Sequence, residues 1–255
     1  MPRLITLDTA TDTLHLAVVN GDRQWQRALP GGAQASVALL PAMVALLDEA
    51  GLALADLDAI AFGRGPGAFT GLRVACAVCQ GLALGLNRPL IALDTLAAVA
   101  EAAHQRGAGD SVWAMLDARM GEAYAARWQR VGEGHWVASA GGDDRSLDHL
   151  AEPALYAPTA LRDAIARLPA TLAGPGLVAH AAVLDVAAGA RHPDALPDGA
   201  ALAALARAAQ ARREWIDPAL ALPLYVRDKV AQTTAERAQV ARVAGRGMTV
   251  RPSAP

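Results

Sequence analysis

Apolar runs broken by small polar residues divide the chain into a series of short elements. Residues 4–8, 14–19 and 24–29 read as strands, with Thr9-Ala10-Thr11-Asp12-Thr13 as the first turn and Asn20-Gly21-Asp22 as a hairpin turn. That is an antiparallel meander whose first strand ends in Asp8. A helix over 36–50 follows, then an apolar strand over 57–62. A second helix, apolar almost all round, runs over 74–86. A strand over 89–93 completes a βαβ unit, and 95–105 reads as a further helix.

The second half repeats the opening. Residues 111–117 form a strand that again ends in an acid, Asp117. A turn and a return strand over 122–128 follow, and 135–139 offers a third strand. Thr171-Leu172-Ala173 then leads into Gly174-Pro175-Gly176, a second G-P-G. Asp8 to Gly65 and Asp117 to Gly174 span the same 57 positions. The repeat points to a duplicated α/β unit with its boundary near residues 107–110. Helices are expected over 159–167 and 200–215, the latter stopped by Asp217-Pro218, and a short extended piece over 222–226.

Between the strand at 57–62 and the apolar helix lies Gly63-Arg64-Gly65-Pro66-Gly67-Ala68-Phe69-Thr70-Gly71-Leu72-Arg73. Glycines there let the backbone approach something closely, and a helix N-terminus favours anions. A phosphate, a carboxylate, a partner's backbone or a plain βα turn all suit this pattern. No Lys follows the glycines as a phosphate-binding P-loop requires.

Composition narrows the class. The chain has 255 residues, 53% of them hydrophobic, and a formal net charge of -2, which argues against a whole-surface nucleic-acid binder. The start shows no secretory pattern, and the run over 74–86 is expected to fall short of a bilayer span, which takes about 20 residues. Cys76 and Cys79 have C-x-x-C spacing but no second ligand pair, so they read as small buried residues of an apolar helix. From Lys229 onward the chain carries five basic residues and one acidic, and this stretch reads either as a mobile solubilising tail or as one that touches RNA backbone.

A duplicated unit with an acid ending each first strand matches the actin-like or sugar-kinase-like architecture. Ala10 stands where a D-x-G-T phosphate loop wants glycine, and the second half offers Asp117-Ala118-Arg119-Met120, with a bulky Arg. Both features argue against an ordinary kinase. Leu7-Asp8-Thr9-Ala10-Thr11, Gly65-Pro66-Gly67-Ala68-Phe69-Thr70-Gly71-Leu72-Arg73, Leu116-Asp117-Ala118-Arg119 and Pro223-Leu224-Tyr225-Val226-Arg227-Asp228-Lys229-Val230-Ala231 together resemble the TsaB (YeaZ) family.

The resemblance implies an α/β fold of actin-like, ribonuclease-H-like type with two mixed-sheet lobes: 1–108, 109–230 and a basic tail over 231–255. It implies a non-catalytic, cytoplasmic subunit with no cofactor or metal of its own. Such a subunit pairs with the homologous catalytic subunit TsaD and with the ATPase TsaE in threonylcarbamoylating the adenosine beside the anticodon of ANN-decoding tRNAs. tRNA is then met through the complex, and the chain self-associates as a homodimer when alone. Two departures from the family pattern stand out: Ala68 replaces Ser, and Gln34-Ala35-Ser36 keeps only the Ser of a His-Ser pair. The catalytic relatives carry an H-x-x-x-H metal pair, and no two of His15, His104, His135, His149, His180 and His192 have that spacing. A small-molecule kinase or ATPase and a metal-dependent hydrolase are the competing classes.

The helix over 36–50 carries two apolar stripes, Val37, Leu40, Val44 and Leu47, and Leu39, Met43, Leu46 and Ala50. One packs on a sheet and the other needs different cover. The second, with Ala75, Cys79 and Leu82 of the next helix, is expected to form the partner interface. Gly65, Pro66, Gly67, Phe69, Thr70, Gly71 and Arg73 would then lie at the subunit junction. Arg73 and Arg119 are expected to make structural ion pairs, and Tyr225, Arg227 and Lys229 a solvated edge or a basic patch.

Overall fold

A computed structural model describes residues 1–32, 35–139, 152–185 and 189–227. The basic tail, Lys229 and Gln34 lie outside these residues. The strands are β1 (Arg3–Asp8), β2 (Thr13–Asn20), β3 (Arg23–Pro30), β4 (Ala59–Gly65), β5 (Leu90–Asp94), β6 (Ser111–Asp117), β7 (Ala123–Gly132), β8 (His135–Ala138), β9 (Ala154–Tyr156), β10 (Thr171–Ala173) and β11 (Arg191–His192). The helices are α1 (Ala35–Glu49), α2 (Phe69–Leu86), α3 (Thr95–His104), α4 (Pro158–Arg167), α5 (Gly176–Ala179) and α6 (Gly199–Arg212).

The first sheet has the order β3-β2-β1-β4-β5, with β1 antiparallel to β2 and parallel to β4. The second sheet has the order β11-β10-β6-β7-β8, with β6 antiparallel to β7 and parallel to β10. The two five-strand connection patterns match, with β9 added antiparallel to β7 in the second sheet, so the duplication seen in the sequence is a duplication of topology. This is the actin-like, ribonuclease-H-like fold with two mixed α/β sheets.

Alternation along the strands sets the layers. In β1, Leu4 faces one core while Ile5 and Leu7 face another; in β6, Val112, Ala114 and Leu116 face the first core and Trp113 and Met115 a third. The stacking is α1 and α2, first sheet, α3 and α6, second sheet, α4 and α5. The shared middle layer explains the alanine-rich composition. Nine of the ten residues of α3 are buried, and Ala97, Ala98, Ala100, Ala102 and Ala103 let both sheets come close to the helix. Its one buried acid, Glu101, accepts hydrogen bonds from Trp136 Nε1 at 2.7 Å and Gln105 Nε2 at 2.9 Å.

Several boundaries differ from the sequence expectation. α2 begins at Phe69 rather than 74, because Phe69 to Arg73 continue the helix instead of the turn. The helix is therefore 18 residues long, and by length and composition it could cross a membrane. In the fold it lies against the first sheet with Leu72, Ala75, Cys76, Cys79 and Ala83 buried, and Gln80 Nε2 bonds the carbonyl of Pro218 at 2.8 Å. α6 ends at Arg212, before Asp217-Pro218, where Arg213 turns left-handed at φ 57°. Residues 221–227 lie along the first lobe without pairing as a strand, and α6 packs between the two sheets rather than on the second alone.

Because Ala98 is fully buried between two sheets, Ala98→Leu should lower stability by about 1–3 kcal/mol. Urea denaturation reads this as a lower midpoint with an unchanged slope. An unchanged midpoint would mean that the layer has room to spare.

Candidate functional site

Asp8, at the end of β1, is fully buried. Its Oδ1 accepts from the amide of Ala10 at 2.7 Å and its Oδ2 from Thr95 Oγ1 at 2.7 Å. Burial pushes its carboxyl up to about 6, against these two hydrogen bonds, which pull it down. The acid thus holds the first turn and the start of α3 together.

The glycine-rich turn packs on that first turn. Thr9 Oγ1 donates to the carbonyl of Gly71 at 2.6 Å, and the amide of Ala68 donates to the carbonyl of Ala10 at 2.8 Å. A Cβ on Gly71 would lie 1.9 Å from the Thr9 carbonyl oxygen, and one on Gly67 would lie 2.5 Å from that of Ala10. The close approach that the glycines permit is therefore to the chain's own backbone. Gly65, with φ 115°, precedes Pro66 through a cis peptide bond, and both are buried.

Phe69, Thr70, Gly71 and Arg73 form the first turn of α2. Among the described residues Arg73 has no acidic partner; aromatic contacts stand where the ion pair was expected. Its guanidinium lies 3.8 Å from the centroid of the Phe69 ring, and its Nε donates to Tyr225 Oη at 3.0 Å. The carboxylate of Asp8, at the end of β1, is already bonded to Ala10 and Thr95. Tyr225 stacks on Phe69 at 5.2 Å, and the amide of Leu224 donates to the carbonyl of Arg64 at 2.7 Å. Arg119 does make ion pairs, with Asp12 and Asp117 at 3.3 Å each, on an exposed edge where such pairs contribute little. Arg227 is held by Glu122 Oε2 at 2.7 Å and by the carbonyl of Ala118 at 3.2 Å, so it ties residues 221–227 to the second lobe.

Between the lobes lies a cavity of about 870 Å³, lined by Ala10, Gly67 and Phe69 on one side and by Asp117, Arg119, Met120 and Val178 on the other. Its walls are mostly apolar. The methyl of Ala10 stands on the wall where the sequence lacks the phosphate-loop glycine. Among the described residues, no three His, Cys, Asp or Glu side chains gather as a metal-binding group.

The helix stripe expected to meet a partner faces inward. Leu39, Met43 and Leu46 are buried at 0%, 1% and 1% exposure, over Ile5, Leu7, Leu16 and Val18 of the first sheet. The outward residues belong to the other stripe, where Val37, Leu40 and Val44 are 79%, 47% and 49% exposed, although its last member, Leu47, is buried over the first sheet. Position decides this. Leu40 and Val44 share a face with Ser36 and Asp48 at steps of four, whereas Leu39, Met43 and Leu46 share theirs with Ala35, Ala42 and Ala50. On α2, Ala75 and Cys79 are likewise fully buried and Leu82 half-buried; the outward residues are Thr70, Arg73, Ala77, Gly81, Leu84 and Gly85. Cys76 and Cys79 are buried thiols, both raised by burial, Cys79 the more strongly, as the apolar context suggested.

The chain is similar to known proteins along most of its length. A solved structure of YeaZ from Pseudomonas aeruginosa is 36% identical, with a TM-score of 0.75, and the match covers 88% of this chain and all of that one. The chain belongs to the TsaB (YeaZ) family. A family model described as TsaD, tRNA N6-adenosine threonylcarbamoyltransferase, also matches residues 31–158. The tRNA threonylcarbamoyladenosine biosynthesis protein TsaB of Escherichia coli is 37% identical over 52% of this chain and 58% of its own length. That of Haemophilus influenzae is 39% identical over 48% of this chain and 51% of its own length. The chain thus spans little more than half the length of these two relatives.

The burial of Asp8 predicts a pH signature. The folded state holds its proton more tightly than the unfolded chain, whose carboxyl titrates near 3.8, so the stabilisation by protonation is full below 3.8 and is lost as pH rises through about 6. Asp8→Asn should therefore gain stability relative to the parent by up to about 3 kcal/mol between about pH 4 and about pH 8. Thermal unfolding at the two pH values measures it, and a pH-independent difference would contradict burial of the charge.

Proposed function

We propose that this chain is a subunit of the machinery that makes threonylcarbamoyladenosine in tRNA. In this reading it is a cytoplasmic scaffold and activator that docks on a TsaD-type catalytic subunit, with a TsaE-type ATPase joining the pair. It meets tRNA through the complex, contributes no metal or nucleotide chemistry of its own, and self-associates when the catalytic subunit is absent. Its family membership and the biosynthetic role named for its relatives support this reading.

The observation that carries the docking role is the outward face of α1. Val37, Leu40 and Val44 form an apolar stripe exposed to solvent, and the small outward residues Ala77, Gly81 and Gly85 of neighbouring α2 allow a partner helix to come close. Leu84 adds a fourth large apolar side chain at 60% exposure. A contact of the usual size for a stable complex, about 1,600 Å², would need both helices. The glycine-rich turn begins α2, so Thr70 and Arg73 would stand at the edge of that contact, with Gly65, Pro66, Gly67 and Gly71 supporting them from beneath. The packing of Gly67 and Gly71 on residues 9–10 favours the scaffold over a kinase, because the close approach that these glycines permit is taken up by the chain's own backbone.

Val37→Asp and Leu40→Asp should each abolish co-elution with a TsaD-type subunit in size-exclusion chromatography while leaving thermal unfolding near that of the parent. Met43→Asp should instead destabilise the fold, since it buries a charge without a partner. Wild-type association of both outward variants would reject the proposed surface.

A further inference from the structure

The turn between β6 and β7 runs left-handed through three residues in a row: Arg119 at φ 63°, Met120 at φ 55° and Gly121 at φ 77°. For Arg and Met, whose Cβ crowds the backbone in that region, the conformation is costly. Local contacts hold it in place. The Arg119 amide donates to Asp117 Oδ1 at 2.8 Å, the Ala118 amide to the Glu122 carbonyl at 2.9 Å, and Arg227 Nη2 to the Ala118 carbonyl at 3.2 Å. The turn sets Met120 on the wall of the cleft between the lobes, 61% exposed, with Arg227 Nη1 2.8 Å from its sulfur. Val178, 68% exposed, stands on the same wall. Strain that the surroundings maintain in order to present an apolar side chain to open space points to use at that spot.

The cleft suits a small molecule by size, since its volume of about 870 Å³ falls in the usual range of roughly 300–1,000 Å³ for such sites. Leu116, Leu196, Phe69 and Tyr124 extend the apolar lining, the last two with rings. The charges in it do not balance. Arg119 is shared by Asp12 and Asp117, Arg227 is matched by Glu122, and Asp194 is exposed with no partner among the described residues, which leaves a surplus of two negative charges. A phosphate is the wrong guest here. The carboxylates repel it, and the amide of Ala68 is already spent on the carbonyl of Ala10.

We propose that the cleft binds a small molecule with an apolar, ring-bearing body and a cationic group, an amine or a guanidine. The body lies against Met120 and Val178, and the cation is met by Asp194 and Asp12. This site shares no residue with the outward face of α1, so it stands or falls apart from the docking role.

The test is an NMR titration of the full chain, ¹³C-labelled at the Met and Val methyl groups, with two probes that carry the same ring: tryptamine, which ends in an amine, and indole-3-propionate, which ends in a carboxylate. The expected result is saturable movement of the Met120 and Val178 methyl signals, with tryptamine binding about tenfold more tightly than indole-3-propionate. Met120→Ser, read at Val178, should weaken tryptamine by about tenfold through lost apolar contact. Asp194→Asn should weaken tryptamine by about threefold without weakening the carboxylate probe. Asp194 is exposed, so its variant keeps the test decisive if Met120→Ser disturbs the turn. No saturable movement with either probe, equal affinity for the two, or undiminished tryptamine binding in a folded Asp194→Asn chain would overturn the proposal.

Discussion

The contact between two turns governs the molecule. Residues 9 and 10 at the end of β1 lie against Gly67 to Gly71 so tightly that a Cβ at Gly67 or Gly71 would fall within 2.5 Å of a carbonyl oxygen. Two hydrogen bonds, Thr9 Oγ1 to Gly71 and the Ala68 amide to Ala10, fix the register of this contact. It sets where α2 starts and hence which side of α2 meets the sheet. Phe69 is thereby placed to receive Tyr225, and through Tyr225 and Arg227 the segment at 221–227 joins the two lobes. A turn whose glycines usually suggest a ligand is here a joint of the fold.

What the joint withholds from a ligand, the fold supplies elsewhere as surface. With the two sheets closed over α3 and α6, and α4 and α5 covering the far side of the second, α1 and α2 cover the far side of the first and carry an apolar stripe outward. The docking role proposed above would draw on that combination: a well-filled interior behind an outward apolar face. Asp8 adds to the rigidity at the cost of a buried carboxyl, which explains why its proton is held more tightly than in a free chain.

Much of this was legible in the sequence. The strand-Asp-turn-strand opening at both Asp8 and Asp117, and the equal spacing to the two G-P-G turns, gave the duplicated topology, because strand polarity and turn chemistry are local. The inward burial of Cys76 and Cys79 followed from their apolar neighbours. The choice between the two stripes of α1 was less legible. Both are apolar, and only the companions at steps of four, Ser36 and Asp48 for one and Ala35, Ala42 and Ala50 for the other, tell inward from outward. The start of α2 was hidden by glycines that look like a turn but serve close packing. Arg73 could not be placed from sequence, since its partners Phe69 and Tyr225 include one from 152 positions away.

The most direct check of the central claim is an amide-resolved NMR titration of the full-length chain with Mg·ATP. If the turn is closed on its own backbone, the Gly67, Ala68 and Gly71 amide signals stay in place through millimolar nucleotide and no phosphate is released. Saturable movement of those three signals, with or without hydrolysis, would contradict it.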